Sequence, residues 1–450
     1  MHFGLTAYAP YLLYALGIMA VLLSVFWRPI AGIYYLAPMI PLQTVRYWMN
    51  DLPLGQQMID IVVLAVIVGL IRRGEQPLPK TALNWLLLPY GIYTYVSLCW
   101  GSLYLQRPLP LSPYDPRLAF WKSYMTMPLL LYLVTAAVRD RREIRILTLL
   151  MCLAVFALDR SLWETVSQRD YSQYSEDLRE EGSLGYAGVN GLAAFEAQFA
   201  TLLLALAGFE RQPLRWLAYM GLATFSALCL MYSFSRGGYG AFLAGWLFIA
   251  VLRQRKLLVL LVVFLMCWTS VVPNAVRERV DMTYGGEQRG PDPSAETRMM
   301  LWNDALHVAN ENPLFGTGFN TYAYMGRVGS YEDTHNIYLK MLVETGVVGL
   351  ALFLLLLWKL GRLGWRAFRR ADDPLMRSLG LGLTGWLVCT AVANFFGDRW
   401  TFLQVNGYLW MVAGCVCRGL ALQQDAAEDH VVPVVGHEEV PLDLFARGAA

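Results

Sequence analysis

The sequence predicts an all-α polytopic membrane protein with about twelve transmembrane helices. Hydrophobic residues occupy 56% of the 450 positions and charged residues only 16%, whereas soluble domains are about 45–50% apolar and about 25% charged. The mean hydropathy of the whole chain is +0.41. This composition excludes a soluble enzyme. The net charge of +2 and the scattered basic residues also argue against a nucleic-acid partner.

Twelve apolar runs are long enough to predict membrane-spanning helices. Residues 29–42 are also apolar, but they form a short run broken by three prolines, so we expect a re-entrant or interfacial segment there. The first run lacks the basic leader and cleavage site of a signal peptide, so we expect it to be retained. The twelve runs lie at residues 9–27, 58–71, 83–101, 121–138, 143–158, 187–208, 213–232, 238–252, 256–273, 336–358, 376–396 and 400–418.

Lysines and arginines are concentrated in alternate loops, which predicts the orientation of the chain. Half of the 36 lie at residues 72–80, 139–145, 211–215, 253–256 and 359–377. Because short cytoplasmic loops carry an excess of basic residues, we assign these loops to the cytoplasm. Both termini are then expected to be cytoplasmic. The two longest hydrophilic loops, about 159–186 and 274–335, are expected on the outer face.

The loop at residues 274–335 carries the most informative sequence. From Ser294 onward it has a Ser or Thr cap, an acidic first turn and apolar residues at helical spacing, which predicts a helix that ends before Pro313. Gly316 and Gly318 indicate a tight turn. The next polar segment runs directly into an apolar helix. This places His335 at a helix N-terminus on the outer surface of the membrane.

A histidine in this position suits general base catalysis. Its charge changes near neutral pH, and the adjacent helix dipole disfavours the cationic ring, which keeps a neutral base available. The alternative is an interfacial histidine that caps the helix. Asn320, Asn336 and Tyr338 are candidates for orienting His335 or a substrate, although such residues are also common interface anchors.

Two arginines on the outer side are candidates for binding an anion. Arg236 stands between two predicted spans, where the positive-inside rule does not account for it. Two glycines follow it and a helix begins there, so an anion could meet a guanidinium and a helix N-terminus together. Arg298, in the predicted loop helix, supplies a second cation. An incidental loop arginine and a solvated helix charge are the alternative readings.

Several other kinds of site find little support in the sequence. There is no GxSxG, HExxH, Walker or CxxC motif. With two outer histidines, His307 and His335, we expect no metal site and no cofactor. A cluster of four carboxylates suits the acid and base of a glycosidase, but such clusters are more typical of solvated loops; its members are Glu176, Asp177, Glu180 and Glu181.

A set of ordered motifs over about residues 185–350 resembles the O-antigen ligase/polymerase superfamily. That superfamily includes lipopolysaccharide O-antigen ligases, O-antigen repeat-unit polymerases and protein O-oligosaccharyltransferases. The motifs include Asn190, Ser-Arg-Gly-Gly at 235–238, Glu-Thr-Arg at 296–298 with Trp302, Asn-Pro-Leu-Phe-Gly-Thr-Gly at 312–318 with Tyr322, His-Asn-x-Tyr-Leu at 335–339 and Glu-x-Gly-x-x-Gly-Leu at 344–350. Residues 1–150 are similar only as a series of spans.

The resemblance implies a GT-C-like, metal-independent, inverting glycosyltransferase in the bacterial inner membrane, with its active site facing the periplasm. The implied donor is an undecaprenyl-pyrophosphate-linked glycan. The superfamily's catalytic histidine falls on His335 and its pyrophosphate-binding arginines on Arg236 and Arg298. We accordingly expect N-terminal spans and the first outer loop at 1–186, the ligase-like catalytic region at 187–420, and a disordered, acidic cytoplasmic tail at 421–450.

The acceptor stays open at the level of sequence. A lipid A core acceptor corresponds to a ligase, a second lipid-linked glycan to an O-antigen or exopolysaccharide polymerase, and a protein hydroxyl to an O-oligosaccharyltransferase. Outside the superfamily, a transporter of lipid-linked saccharide would place polar residues near the middle of the bilayer. A structural partner of a secretion complex would leave Arg236 and His335 unexplained.

Overall fold

The computed structural model describes residues 8–182, 184, 188–283 and 293–429, and this part of the chain is helical without any β-strand. Each of the twelve predicted runs coincides with a helix. In chain order the α-helices are α1 (Ala9–Phe26), α2 (Ile30–Met39), α3 (Gln43–Tyr47), α4 (Met58–Arg72), α5 (Asn84–Tyr104), α6 (Pro116–Ala137), α7 (Arg141–Val166), α8 (Val189–Ala207), α9 (Pro213–Tyr232), α10 (Arg236–Leu252), α11 (Arg255–Val271), α12 (Asn274–Asp281), α13 (Pro293–Glu311), α14 (Tyr322–Met325), α15 (Ile337–Arg370), α16 (Pro374–Ala393) and α17 (Leu403–Asp429).

The helix lengths fit a multi-pass membrane protein. Within the described residues, eight helices are long and apolar enough to cross a bilayer, and a ninth span results if the bent pair α11 and α12 is counted as one. The helix α8 is buried along almost its whole length against α9, α10 and α16. It therefore forms the centre of the bundle. The predicted all-α polytopic fold is confirmed.

The loop between α11 and α15 is partly helical, as the sequence predicts. It contains α12, α13 and α14, and α13 covers the stretch that begins with Ser294 and ends before Pro313. At the other end, α17 continues through Asp429, nine residues into the stretch expected to be a disordered tail. The rest of that predicted tail lies outside the described residues.

The first helix runs in the opposite direction to the one predicted. Near its start, Tyr14 donates a hydrogen bond to the Pro53 carbonyl before α4 (2.8 Å), and at its end the Val25 carbonyl accepts one from Arg72 of α4 (3.3 Å). Thus α1 and α4 are parallel, and α1 ends among the arginine-rich loops, on what we call the basic face. Because Arg418 of α17 also bonds the end of α6 there, the expectation that both termini share the cytoplasmic face is wrong.

Residues 29–42 pass through the bundle, which corrects the expectation of a re-entrant or interfacial segment. On the basic face Arg28 pairs with Glu143, and on the opposite face the Thr44 N–H donates to the Leu184 carbonyl (3.1 Å). The ten residues of α2 span about 15 Å, less than the ~30 Å hydrocarbon core. The helix is nevertheless mostly buried among α1, α4, α6 and α7. Irregular backbone is tolerated at membrane depth where protein shields it from lipid.

A break in α15 anchors the loop that precedes it. Gly346 has φ +65° inside this helix, a conformation that favours glycine. A Cβ at this position would lie 2.2 Å from the carbonyl oxygen of Leu314. The chain of the loop therefore packs directly against the broken helix, and the Val347 N–H donates to the Pro313 carbonyl (2.9 Å).

Glu344 completes this anchor from inside the bundle. Its fully buried carboxylate accepts hydrogen bonds from the backbone N–H groups of Asn320 (2.9 Å) and Tyr322 (3.2 Å). Its backbone carbonyl accepts from the Gly318 N–H (2.8 Å). Buried carboxylates need such partners. This intramembrane acid therefore has a structural role, which fixes the glycine-rich turn against the helix that follows His335.

Candidate functional site

A cavity of about 270 Å³ opens on the face opposite the arginine-rich loops. Five arginines line it, and they come from five separate segments: Arg179 from the loop after α7, Arg236 from the start of α10, Arg279 from α12, Arg298 from α13, and Arg399 from the loop before α17. The fold thus brings together the two arginines singled out in the sequence and three others.

Arg236 occupies the first position of α10, as the sequence predicts. Ser235 precedes this helix with extended backbone, and Gly237 and Gly238 of the first turn also line the cavity. The first N–H groups of a helix have no partner within it, and its dipole favours an anion there. A guanidinium Nη of Arg236 donates to Thr283 (3.0 Å), just after α12.

Asn190 holds two parts of the cavity wall together. Its side-chain oxygen accepts hydrogen bonds from Arg179 (3.0 Å) and from the Ser235 hydroxyl (2.9 Å). The motif residue at the start of α8 therefore orients both an arginine of the first loop and the entry to α10. This contact gives the Asn190 motif a physical role in the site.

Arg179 and Arg279 share one carboxylate. Glu176 lies 3.2 Å from Arg179 and 3.4 Å from Arg279, and it also accepts a hydrogen bond from the Tyr174 hydroxyl (2.8 Å). Burial raises the pKa of Glu176, but Tyr174 and the two arginines outweigh it and lower that pKa below its usual value. The predicted acidic cluster is therefore engaged with arginines. Its Glu180 likewise pairs with Arg169.

Arg399 directly follows Asp398, and the carboxylate of Asp398 contacts other residues. Asp398 pairs with Lys340 (2.8 Å) and accepts from the Thr401 hydroxyl (2.7 Å). Among the described residues no salt bridge joins a carboxylate to Arg399. Burial lowers the pKa of Arg399, while the charges of Asp333 and Asp398 oppose that shift. An arginine stays charged under such conditions, so Arg399 adds a cation to the cavity.

His335 is not among the residues that line this cavity. It directly precedes the cap of α15 and contacts Asp333, whose charge acts on the cavity residue Arg399. The Asp333 carboxylate accepts from the His335 backbone N–H (2.6 Å) and is hydrogen bonded to the ring Nδ1. Burial raises the pKa of Asp333, but the hydrogen bond and charge of His335, with Lys340 adding, lower it to about 2. Asp333 is therefore ionised. Its negative charge lies next to the imidazole ring, which the sequence argument did not include.

The contact with Asp333 favours one tautomer of the His335 ring. When Nδ1 carries the proton that is donated to Asp333, Nε2 has a free lone pair. The side chain of His335 remains 32% exposed, and the ring of Tyr331 packs edge-on against it at 5.7 Å. A partly exposed, oriented imidazole of this kind can accept a proton from a bound hydroxyl.

Three other predicted site residues do not line the cavity. Asn336 caps α15 by accepting from the N–H groups of Tyr338 (2.9 Å) and Leu339 (3.2 Å). The hydroxyl of Tyr338 donates to the Ala391 carbonyl of α16 (3.0 Å). Asn320 is buried, with φ +59°, and its N–H bonds Glu344. In this structure they hold the segments around His335 in place.

Comparison with known families assigns this region. Residues 221–354 match a family model described as O-antigen ligase. The resemblance to the O-antigen ligase/polymerase superfamily is confirmed. A comparison with curated proteins found no match. The match supports a membrane enzyme of this superfamily, whose members are glycosyltransferase-like.

The matched O-antigen ligase region contains part of the site only. It includes Arg236, Arg279, Arg298 and His335, whereas Arg179 and Arg399 lie outside residues 221–354. The predicted topology could have indicated the two outlying arginines, because both fall in loops on the face where basic residues are scarcer. Their convergence with the matched region depends on tertiary packing. Among the described residues, no group of three or more metal-ligating side chains occurs.

Proposed function

We propose that this protein transfers a glycan from an undecaprenyl-pyrophosphate donor to a hydroxyl acceptor on the periplasmic side of the bacterial inner membrane. The observation that carries the proposal is the convergence of Arg236 and Arg298 in one cavity at the N-terminus of α10. A helix N-terminus with guanidinium groups is a recurrent way to bind phosphate. The O-antigen ligase match and the apolar helices support the same class of substrate.

The proposed reaction is a single displacement at the anomeric carbon. His335 Nε2 takes the proton of the acceptor hydroxyl, the acceptor oxygen forms the new glycosidic bond, and the bond between the anomeric carbon and the phosphate oxygen breaks. One displacement inverts the configuration at that carbon. Arg236 and Arg298 stabilise the charge that develops on the departing lipid pyrophosphate, so the step requires no metal ion.

The placement of Arg399 connects the two halves of this reaction. It lines the cavity with the clamp arginines, and it interacts electrostatically with Asp333, which holds His335. The leaving pyrophosphate and the attacking hydroxyl would therefore meet between the clamp and the base. A cavity of about 270 Å³ is at the small end of ligand sites. It suits the pyrophosphate and an adjoining sugar, with the lipid outside.

Transfer assays in membranes test the two roles separately. His335→Ala should reduce turnover about 10²- to 10⁴-fold, the usual contribution of a general base. Arg236→Ala and Arg298→Ala should each reduce it about 10²-fold or more, while protein levels match wild type. Wild-type turnover in His335→Ala would remove the base assignment, and undiminished rates in both arginine variants would remove the clamp.

The acceptor requires a genetic experiment. Deletion of the gene should change one surface glycan, and the kind of change identifies the acceptor. A lipid core without polymer indicates a ligase, single repeat units indicate a polymerase, and loss of glycan from a protein indicates an O-oligosaccharyltransferase. A deletion strain with all of its surface glycans intact would contradict the proposed transfer.

A further inference from the structure

Arg179 and Arg279 form a pair of cations that the proposed pyrophosphate clamp does not require. They come from the loop after α7 and from α12, whereas the clamp residues Arg236 and Arg298 begin α10 and belong to α13. What joins the pair is Glu176, which contacts both. We call Arg179 and Arg279 the second arginine pair.

Arg279 is a buried residue of the cavity wall. Its side chain is 9% exposed, and its guanidinium lies 4.9 Å from the ring centroid of Tyr174. Its Nε is buried and has no hydrogen-bond acceptor among the described residues, and the same holds for the Nε of Arg179. A buried donor without a partner destabilises the folded protein. Two such donors in one cavity wall indicate that an acceptor belongs there.

The internal carboxylate satisfies this pair only in part. Distances of 3.2 and 3.4 Å from Glu176 exceed the roughly 2.7–2.9 Å of a good charge-assisted hydrogen bond. The side chain of Glu176 is 66% exposed and its shortest contact is with the Tyr174 hydroxyl, so a bound anion can compete with it for the two arginines. Two guanidinium groups against one carboxylate leave a positive charge. Arg399 adds a further positive charge, which lies close enough to Arg179 for the two arginines to repel each other.

The donor pyrophosphate alone does not balance these charges. A pyrophosphate that carries both a lipid and a sugar has two ionisable oxygens and hence two negative charges, which Arg236 and Arg298 already match. Among the described residues, Glu176 is the carboxylate that pairs with the second arginine pair, and the charges of Asp333 and Asp398 act on Arg399. Like charges at such range repel, and a further anion in the cavity would relieve this.

We propose that Arg179 and Arg279 bind a second anionic group, a carboxylate or phosphate on the saccharide part of a substrate, beside the pyrophosphate. The bound group would take the place of Glu176. It would accept hydrogen bonds from the arginine N–H groups that Glu176 does not reach. This inference rests on the proposed glycan transfer. It predicts an acidic sugar or a sugar phosphate, either next to the pyrophosphate of the donor or at the attacking end of the acceptor.

Binding measurements on the full chain in lipid nanodiscs test this site directly. The probes are inorganic pyrophosphate, glucose 6-phosphate and uncharged glucose, measured by calorimetry. Glucose 6-phosphate should bind while pyrophosphate is saturating, and glucose should bind much more weakly. Arg279→Gln and Arg179→Gln should weaken glucose 6-phosphate binding about tenfold or more, as expected when a hydrogen bond to a charged group is lost. Pyrophosphate affinity should change little.

The matched controls are two other kinds of arginine variant. Arg236→Gln and Arg298→Gln should weaken pyrophosphate binding. Arg160→Gln should change the binding of neither probe, because Arg160 is an exposed residue that pairs with Glu164 of the same helix. Competition between glucose 6-phosphate and pyrophosphate for a single site would overturn the proposal. So would an equal loss of pyrophosphate affinity in Arg179→Gln and Arg279→Gln. Unchanged pyrophosphate binding in the Arg236 and Arg298 variants would instead count against the clamp.

Transfer kinetics then identify which substrate carries the anion. In membranes that hold Arg279→Gln, a raised KM for the donor with the KM for the acceptor unchanged places the anionic group on the donor sugar. The reverse pattern places it on the acceptor. Wild-type values of both constants would contradict a second anion in either substrate. Arg160→Gln again serves as the control and should keep both constants.

Discussion

Lys340 donates a hydrogen bond to Asp398 over 2.8 Å in an ion pair whose side chains are 7% and 2% exposed. Lys340 lies one turn into α15, after His335, and Asp398 directly precedes Arg399. The pair therefore couples the segment that carries the proposed base to the loop that carries a cavity arginine. The Lys340–Asp398 pair therefore supports the geometry of the site, although neither residue lines the cavity.

Removing one partner of this pair should destabilise the protein strongly. Lys340→Met leaves the Asp398 carboxylate buried without a positive partner. Asp398→Asn leaves the Lys340 ammonium buried without a negative partner. Such a loss costs about 3–5 kcal/mol. We expect a clear fall in the thermal midpoint of the detergent-solubilised protein, measured by the fraction that stays monodisperse after heating.

The chain offers a matched control of the same chemistry. Lys122 pairs with Asp60 at 2.5 Å, but these side chains are 55% and 47% exposed. Exposed pairs contribute about 0–1 kcal/mol, so Lys122→Met should leave the midpoint nearly unchanged. Equal midpoints for Lys340→Met and Lys122→Met would show that burial of the Lys340 pair does not matter.

Asp333→Asn should slow transfer. Asp333 is ionised throughout the working range, because its pKa is lowered to about 2, and its charge stabilises the imidazolium that forms when His335 accepts a proton. The amide removes that charge. We expect turnover to fall about tenfold or more, measured in membranes at matched protein levels. Wild-type turnover in Asp333→Asn would contradict a role for this charge.

The same carboxylate should make the structure around His335 sensitive to acid. The folded pKa of about 2 lies below the ordinary aspartate pKa of 3.8, so the unfolded state binds the proton more tightly. The stabilisation is therefore complete above pH 4 and is lost as the pH falls toward 2. Thermal midpoints of wild type and Asp333→Asn should converge over this range. Parallel curves from pH 5 to pH 2 would contradict the linkage.

The helices could be predicted from the sequence because each span must form the hydrogen bonds of its own backbone within the membrane. Apolar runs consequently marked twelve of the helices. The direction of α1 was mispredicted, since a short, proline-broken α2 crosses only where four other helices shield it. No local pattern reports that shielding. With α1 reversed, Arg28 joins Glu143 on the basic face, which strengthens the charge asymmetry used to orient the chain.

The candidate site was predictable only where local sequence imposes geometry. The glycine pair after Arg236 and the polar segment before α15 signal helix starts, and both starts were predicted. The capping role of Asn336 was not predicted. The contributions of Arg179, Arg279 and Arg399 depend on loops that are far apart in sequence and meet through packing. Asp333 was not identified as a partner of His335, because its contact arises from the left-handed backbone of His335, with φ +50°.

Arg399→Ala should impair transfer although it lies outside the matched family region. It removes a cavity cation that interacts with Asp333, so stabilisation of the leaving group and placement of the base both suffer. We expect about a 10²-fold lower turnover at a normal expression level. Arg160→Ala, on an exposed helix surface, should retain wild-type turnover. Equal activity of the two variants would remove Arg399 from the proposed site.

Gly346→Ala should disrupt folding through the break in α15. The alanine would have to adopt φ +65° and ψ −172°, a region that costs a non-glycine residue about 1–3 kcal/mol. Its Cβ would also lie 2.2 Å from the Leu314 carbonyl oxygen, so the loop that anchors the turn before His335 must move. We expect a large loss of folded protein, measured as the monodisperse fraction on size exclusion.

Gly361→Ala provides the control within the same helix. It has ordinary helical backbone, and the nearest atom to a new Cβ is Leu387 Cδ1 at 3.8 Å. Because alanine favours a helix over glycine by up to about 1 kcal/mol, this variant should be as stable as wild type or slightly more so. The contrast isolates the backbone conformation at Gly346 from the general effect of adding a methyl group. Equal folded yields for Gly346→Ala and Gly361→Ala would show that the break does not need glycine.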